Sequence, residues 1–196
     1  MIVKIGGSVF KKAREVIEEI KETRKSCLII PGGWIFADVV RLMDLDDDTA
    51  HWMALKAMDV YGIYLGSFAD VLEADDFDFE ISGVKVLLPY SLVRKYDELP
   101  HSWEATSDSV AVWIAGKIGV RKVVKVTDVD GVFVNGKLAR RLRYDEVPRN
   151  SCIDNLAVKL AERFGIEIFV CNGFVRGRVK NYILRGSAVG TLIGRW

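Results

Sequence analysis

The sequence predicts an α/β fold, a three-layer α/β/α sandwich with a mainly parallel central sheet, and three observations predict it. Short apolar runs alternate with longer stretches of helical period from the first residues onward. Paired glycines stand directly after the first two of those runs. Half of the 196 residues are hydrophobic and 28% are charged, which suits a packed core and not a disordered or fibrous chain. Strands that alternate with helices are covered on both faces, which favours parallel pairing. The length fits a single domain over 1–196.

Taken in order, the chain opens β-α-β-α: Ile2 to Ile5, a helical stretch from Val9 to Lys25, Cys27 to Ile30, then a helix over Ile35 to Met43. Helical period returns from Ala50 to Tyr61 and from Ser109 to Ile118. A strand over Lys122 to Val126 and a helix over Ile153 to Phe164 follow. Glu167 to Cys171 reads as the next strand, before a further helical segment and a short closing run, Gly190 to Ile193. Two segments break the rhythm and read as hairpins on the sheet. One spans Phe79 to Val86 around Ser82-Gly83; the other spans Val132 to Leu138 around Asn135-Gly136. The acidic run Asp44 to Asp48 reads as a solvated loop whose last aspartate caps the next helix, in preference to a metal cluster.

Several classes are set aside by composition. Lys and Arg number 28 against 27 Asp and Glu, so no broad positive field recruits nucleic acid. The three cysteines, Cys27, Cys152 and Cys171, show no CxxC spacing and read as reduced thiols in a cytoplasm. The first residues run straight into Ile2-Val3-Lys4-Ile5 without a basic and apolar leader, and no apolar run approaches membrane-spanning length. Neither secretion nor membrane insertion is expected.

Ligands of α/β folds gather where strands lead into helix N-termini, so the junctions carry the chemistry. The first is Lys4-Ile5-Gly6-Gly7-Ser8 and the second Ile30-Pro31-Gly32-Gly33. Paired glycines there let backbone N–H groups approach a phosphate with no Cβ in the way. The spacing is neither GxxxxGK[ST] nor GxGxxG, which calls for a different phosphate-binding solution. Lys4 is either a solvated strand lysine or a clamp on a phosphoryl group in transfer. At the third junction, Thr106-Ser107-Asp108-Ser109, Ser107 or Asp108 is a candidate helix cap. At the fourth, Thr127-Asp128-Val129-Asp130-Gly131, the two aspartates are candidates to bond their own backbone in a turn.

In order and spacing, KIGGS, PGG, TSDSVA and TDVDGVF, with Cys171-Asn172-Gly173 and Gly190-Thr191-Leu192-Ile193 near the end, resemble the amino acid kinase superfamily. Roughly Leu65 to Leu99 is not covered by the resemblance. The resemblance implies that family's fold, ATP as phosphoryl donor, Mg2+ held mainly by phosphates and water, and a homo-oligomer, a dimer first. It makes Lys4 the residue that stabilises charge on the phosphoryl group, and Asp108 the aspartate that holds the catalytic lysines. Gly6, Gly7, Ser8, Gly32 and Gly33 become phosphate-binding residues. Thr127, Asp128 and Gly131 fall in the nucleotide loop, and Asn172 and Gly173 on the adenine side. The family's second lysine follows a Gly-Gly-Met segment; Cys152 to Lys159 occupies that place without the glycines. Lys159 is thus the candidate second lysine, with a surface lysine on an amphipathic helix as the alternative.

Three segments bear on the acceptor: Trp34 to Asp38, Ala50 to Ala54 and Leu99 to Glu104. They resemble the branch of the family that serves methanofuran biosynthesis in archaea. That likeness implies [5-(aminomethyl)furan-3-yl]methyl phosphate as acceptor. The acceptor-binding candidates are Gly32, Gly33, Trp34, His51, His101 and Trp103. A flat ring with a cationic substituent suits walls from Trp34, Trp52 or Trp103 and an acid such as Asp38 or Glu104. Packing in the core is the other reading for Trp52 and Trp113. Isopentenyl phosphate, uridylate or an amino acid carboxylate are alternative acceptors, and a non-catalytic nucleotide-binding or storage module is the alternative of another class.

Overall fold

A computed structural model describes residues 1–195. In chain order it contains β1 (Ile2–Ile5), a 3-10 helix (Gly7–Lys12), α1 (Ala13–Glu22), β2 (Cys27–Pro31), α2 (Trp34–Arg41) and α3 (Asp47–Leu65). There follow β3 (Asp70–Glu73), β4 (Val84–Leu88), α4 (Tyr90–Tyr96), α5 (Ser107–Lys117) and β5 (Lys122–Thr127). The remainder comprises β6 (Phe133–Val134), β7 (Lys137–Leu138), β8 (Arg141–Arg143), a 3-10 turn (Tyr144–Glu146), α6 (Asn155–Phe164), β9 (Glu167–Asn172), α7 (Arg178–Arg185) and β10 (Thr191–Gly194).

Eight strands form one sheet in the order β3-β4-β2-β1-β5-β9-β10-β8. Among the described residues of this sheet, only β10 against β9 is antiparallel. The predicted sandwich is the observed one. Because side chains alternate along a strand, each inner strand feeds two cores. Ile2, Leu28, Ile30, Val123 and Ile168 face α5 and α6, whereas Val3, Ile5, Ile29, Val124 and Phe169 face α1 and α7. Both sets are buried, which is why the strands read as near-continuous apolar runs. Lys4 and Lys125 share the parity of Ile2 and Val123 and so point toward α5. They are also register partners on adjacent strands.

Three local expectations change. The segment before Val84 forms no hairpin: β4 pairs in parallel with β2 and β3, and Gly83, at φ +67°, turns the chain so that its carbonyl accepts from Cys27 N–H. Asp46, not Asp48, caps α3, its carboxylate accepting from Thr49 N–H at 2.9 Å. Thr106, ahead of both Ser107 and Asp108, caps α5. The Asn135-Gly136 hairpin does form, with both residues at positive φ as its tight turn requires, but as a separate two-stranded ribbon. No described helix is long and apolar enough to cross a membrane.

Candidate active site

The chain leaves β1 toward β2 on one side and returns through β5 on the other, so the carboxyl ends of β1, β2 and β5 bound the crevice where α/β sheets take ligands. At its base lie three charges. Asp108, in the first turn of α5, receives a hydrogen bond from Lys125 Nζ on Oδ2. Its Oδ1 stands 2.8 Å from Lys4 Nζ, an ion pair that lacks a hydrogen bond's alignment. Lys4, Lys125 and Asp108 are 7%, 6% and 5% exposed, so none of the three charges has water to fall back on and each depends on the others. Burial pushes the Asp108 carboxyl up, but Lys125 and Lys4 together outweigh it and hold the group below the usual carboxylate range. Burial lowers the Lys4 ammonium, against the opposing pull of Asp108.

Lys125 is the residue that sequence reasoning missed. A lone lysine inside Val123-Val124-Lys125-Val126 offers no spacing signal; only its register with Lys4 places it on Asp108. Lys159 lies elsewhere, on the exposed side of α6, and makes no ion pair with Asp108. A helix period that buries Ala157, Val158 and Ala161 turns position 159 outward.

The glycine loops divide the work. Gly6 N–H donates to Val126 O at 3.1 Å and Gly32 N–H to Ile5 O at 2.9 Å, so both extend the sheet and neither is a free phosphate donor. Gly7 and Ser8 head the 3-10 helix and Gly33 caps α2, where N–H groups have no preceding helical carbonyl to meet. Gly7 has no alternative: a Cβ there would lie 2.4 Å from Trp34 Cα. Ser8 Oγ is 3.4 Å from Thr127 Oγ1, which links the first and fourth junctions.

A cavity of about 490 Å3 opens beside this cluster. Gly7, Ser8, Gly33 and Trp34 form one wall, and α3 lines another with Asp47, His51, Leu55 and Met58. Trp103 and Thr106 come from the loop before α5, and Asp38 and Arg41 from α2. Trp34, at φ +46°, stacks on Phe10 with ring centroids 3.7 Å apart. Arg41 lies 4.7 Å over the Trp103 ring. Of the aromatic candidates, Trp34 and Trp103 reach the cavity. Trp52 instead packs edge-on to Tyr90 beneath Arg94, and Trp113 is core, its Nε1 donating to Glu98 at 3.0 Å. Glu104 lines a neighbouring cleft with Asp108, Arg149 and Asp154.

The two histidines stack with centroids 4.3 Å apart, yet only His51 lines the cavity. His101 sits behind it, its ring nitrogens bonded to Asp48 at 2.5 Å and Asp97 at 2.8 Å. Burial, then the neighbouring His101, lowers His51 to about 4, whereas Asp48 and Asp97 raise His101 above the ordinary imidazole value. Opposite linkage signs follow. Between its unfolded value and about 4, charging His51 favours the unfolded chain, so stability through this group falls as pH falls. His101 contributes stability below its unfolded value and loses it as pH rises through the folded one. An NMR titration should show one imidazole protonating near pH 4 and the other above about 6.5.

On the far side of β5, the predicted nucleotide loop is latched by its own side chains. Thr127 Oγ1 donates to Asp128 Oδ1 at 3.1 Å. Asp130 does not bond its own backbone: its Oδ1 accepts from Asn172 Nδ2 at 3.0 Å and from Arg178 at 2.7 Å. Asn172 Oδ1 accepts from Phe174 N–H, and Gly173 N–H donates to Thr127 O, so these two hold β5 to β9. Gly131, at φ +151°, lies where a Cβ would fall 2.4 Å from Thr191 Oγ1. Beyond this latch is a cleft of about 480 Å3 lined by Arg140, Arg176, Arg178, Asn181 and Ser187.

Two lysines on one aspartate, shut away from water beneath a glycine-lined cavity, suit the passage of an anionic group, and the class so defined is that of small-molecule phosphotransferases. Comparison with known proteins agrees. The profile of the Amino acid kinase family matches residues 82–172. The [5-(aminomethyl)furan-3-yl]methyl phosphate kinase of Methanocaldococcus jannaschii is 32% identical over 202 aligned positions, covering 95% of this chain and 93% of that one. The uridylate kinase of Helicobacter hepaticus is 35% identical over 97 residues, or 45% of this chain and 41% of its own. Among solved structures, UMP kinase from Ureaplasma parvum superposes with a TM-score of 0.76 at 18% identity, over 99% of this chain and 97% of that one. Uridylate kinase from Archaeoglobus fulgidus gives 0.72 at 21%, over 98% and 99%. The chain belongs to the amino acid kinase family and is a phosphotransferase.

Proposed function

We propose that the protein transfers the γ-phosphoryl group of ATP to a small phosphate monoester, with [5-(aminomethyl)furan-3-yl]methyl phosphate as acceptor and its diphosphate as product. The observation that carries this reading is the lining of the cavity: Gly7, Ser8 and Gly33 at helix starts, two tryptophans, Trp34 and Trp103, and two carboxylates, Asp38 and Asp47. The first would take the acceptor phosphate, the second the flat ring and the third the aminomethyl cation. A relative that covers nearly the whole chain and is named for this acceptor supports the choice.

In the reaction an acceptor phosphate oxygen forms a bond to Pγ, the bond from Pγ to the β–γ bridging oxygen breaks, and ADP leaves with that electron pair. The acceptor phosphate is already ionised at neutral pH, so no strong general base is needed. Lys4 and Lys125 would neutralise the transferring group, with Asp108 fixing both ammoniums. The N-terminal part of the sheet would thus hold the acceptor. Thr127, Asp128 and Gly131 would hold the donor, with the arginine-lined cleft beyond Asp130 as a source of positive charge for its phosphates. No group of three or more His, Cys, Asp or Glu among the described residues is placed to hold a metal, so Mg2+ would enter on the ATP phosphates and water. The proposal includes a cytoplasmic homodimer.

The test is ADP release from Mg-ATP against aminomethylfuran-methyl phosphate, isopentenyl phosphate, UMP, aspartate and acetylglutamate. Turnover with the furan phosphate alone is the expected result. Turnover with UMP alone would move the acceptor to that of the uridylate kinases, and silence with every acceptor would overturn the reading.

A further inference from the structure

One buried acid has no part in the cluster around Asp108. Glu19, on α1, is 5% exposed and lies among the buried Val16, Ile17 and Ile20 of the same helix. Acids are seldom buried without a cation, because the charge is costly away from water. Yet among the described residues no Lys, Arg or His pairs with Glu19; the cations that reach α1 from across the fold, Arg176 and Lys180, pair with Glu22. Its partner is a backbone group. Gly177 N–H donates to Glu19 Oε1 at 2.7 Å, from 158 residues further along the chain. The segment so held, residues 173–177, joins β9 to α7. The residues at its two ends grip one oxygen of the predicted nucleotide loop: Asn172 Nδ2 and Arg178 Nη1 reach Asp130 Oδ1 at 3.0 and 2.7 Å. Its start rests against the 3-10 helix and α1, since a Cβ on Gly173 would fall 3.1 Å from Val9 Cγ1 and 3.4 Å from Val16 Cγ2. Its end, Gly177 at φ +87°, is the residue that Glu19 holds.

We propose that Glu19 is a positioning residue for the phosphoryl donor: from α1 it pins residues 173–177, and through Arg178 it fixes Asp130 and the loop that holds the donor. The inference rests on the assignment of Thr127, Asp128 and Gly131 to the donor. The 3-10 helix that begins at Gly7 and Ser8 runs directly into α1, so one continuous stretch carries the first glycine junction at its head and supports the donor side further on. A staple that serves folding alone and a positioning residue predict opposite results for Glu19→Met. Methionine keeps the length of the side chain, suits the apolar surroundings and removes a carboxylate that no cation neutralises, so stability holds or rises. Donor affinity falls, because the segment beside Asp130 is no longer pinned. A folding staple gives the reverse: lowered stability, and a folded fraction that binds the donor as wild type does.

The test is calorimetric titration of Mg-ATP into wild type, Glu19→Met and Glu19→Gln, with urea unfolding and amide hydrogen exchange on the same proteins. The Kd of Glu19→Met for Mg-ATP should be about 5- to 20-fold weaker, on the scale of a lost hydrogen bond to a charged group. Amides of residues 173–178 should exchange faster in that variant, with the urea midpoint at or above that of wild type. Glu19→Gln keeps an acceptor oxygen for Gly177 N–H, and its Kd should stay within about 3-fold of wild type. An unchanged Kd in Glu19→Met overturns the proposal, and so does a weaker Kd without faster exchange at residues 173–178. Should Glu19→Met fail to fold, Glu19→Gln decides: a Kd more than about 10-fold weaker there overturns it. Failure of the donor assignment looks different. Mg-ATP then leaves exchange at residues 127–131 of the wild type unchanged, which overturns the assignment whatever the variants at position 19 do.

Discussion

Lys125→Met is expected to reduce kcat by about 100- to 1,000-fold with little change in KM, the usual cost of removing one preorganised charge from a water-excluded transition state. Methionine keeps the bulk and the apolar stem of the side chain in β5, so packing between β1 and β9 survives. What it removes is the ammonium that donates to Asp108 Oδ2. Lys159→Ala serves as the contrast: an exposed change on α6 with no ion pair to Asp108, expected within about 0.5 kcal/mol of wild type in stability and with activity retained. Steady-state kinetics on the two variants, beside wild type, measures both. Loss of activity in the Lys159 variant with full activity in the Lys125 variant would return the second lysine to α6.

Asp108→Ala carries the largest effect on stability. It leaves two buried ammoniums, from Lys4 and Lys125, facing each other with their shared anion gone. Breaking a buried charge cluster from one side costs about 3–5 kcal/mol, far more than the net worth of the intact cluster, because the stranded charges stay out of water. Urea unfolding should therefore show a strongly lowered midpoint at unchanged m-value, and activity should be absent. The pH dependence has a defined sign. The Asp108 carboxyl is held below its ordinary value, so its contribution to stability is complete above the unfolded carboxylate value of about 3.9. That contribution is lost as pH falls through the lower folded value. The wild type should lose stability steeply in acid, and the Asp108→Ala variant should lack that part of the slope.

Much of the fold was legible because periodicity is local information. The strands Ile2–Ile5, Cys27–Pro31 and Lys122–Thr127 announce themselves as apolar runs buried on both faces, and the Asn135-Gly136 turn by residues that tolerate positive φ. Strand β3 carries no such run: in Asp70–Glu73 two of four residues are acidic, since as an edge strand it has water beside it. The Phe79 to Val86 segment read as a hairpin because Ser82-Gly83 resembles a turn; the chain does bend at Gly83, where φ is +67°. Which strands flank Val84–Leu88 depends on β2 and β3, and nothing within the segment encodes them.

By itself, then, the sequence determined the α/β alternation, the glycine junctions after the first two strands and Lys4 beside the first of them. Motif resemblance added Asp108, whose local context reads equally well as a helix cap. The tertiary structure alone decided that Lys125 completes the charge cluster. It also decided that Gly6 and Gly32 are spent on the sheet while Gly7, Ser8 and Gly33 head helices, and that Trp34 and Trp103 share a cavity while Trp52 does not. The physical reason is the same in each case. Helix and strand periods are set by neighbours within a few residues, whereas a buried charge or a free N–H is defined by what the register of distant strands places opposite it.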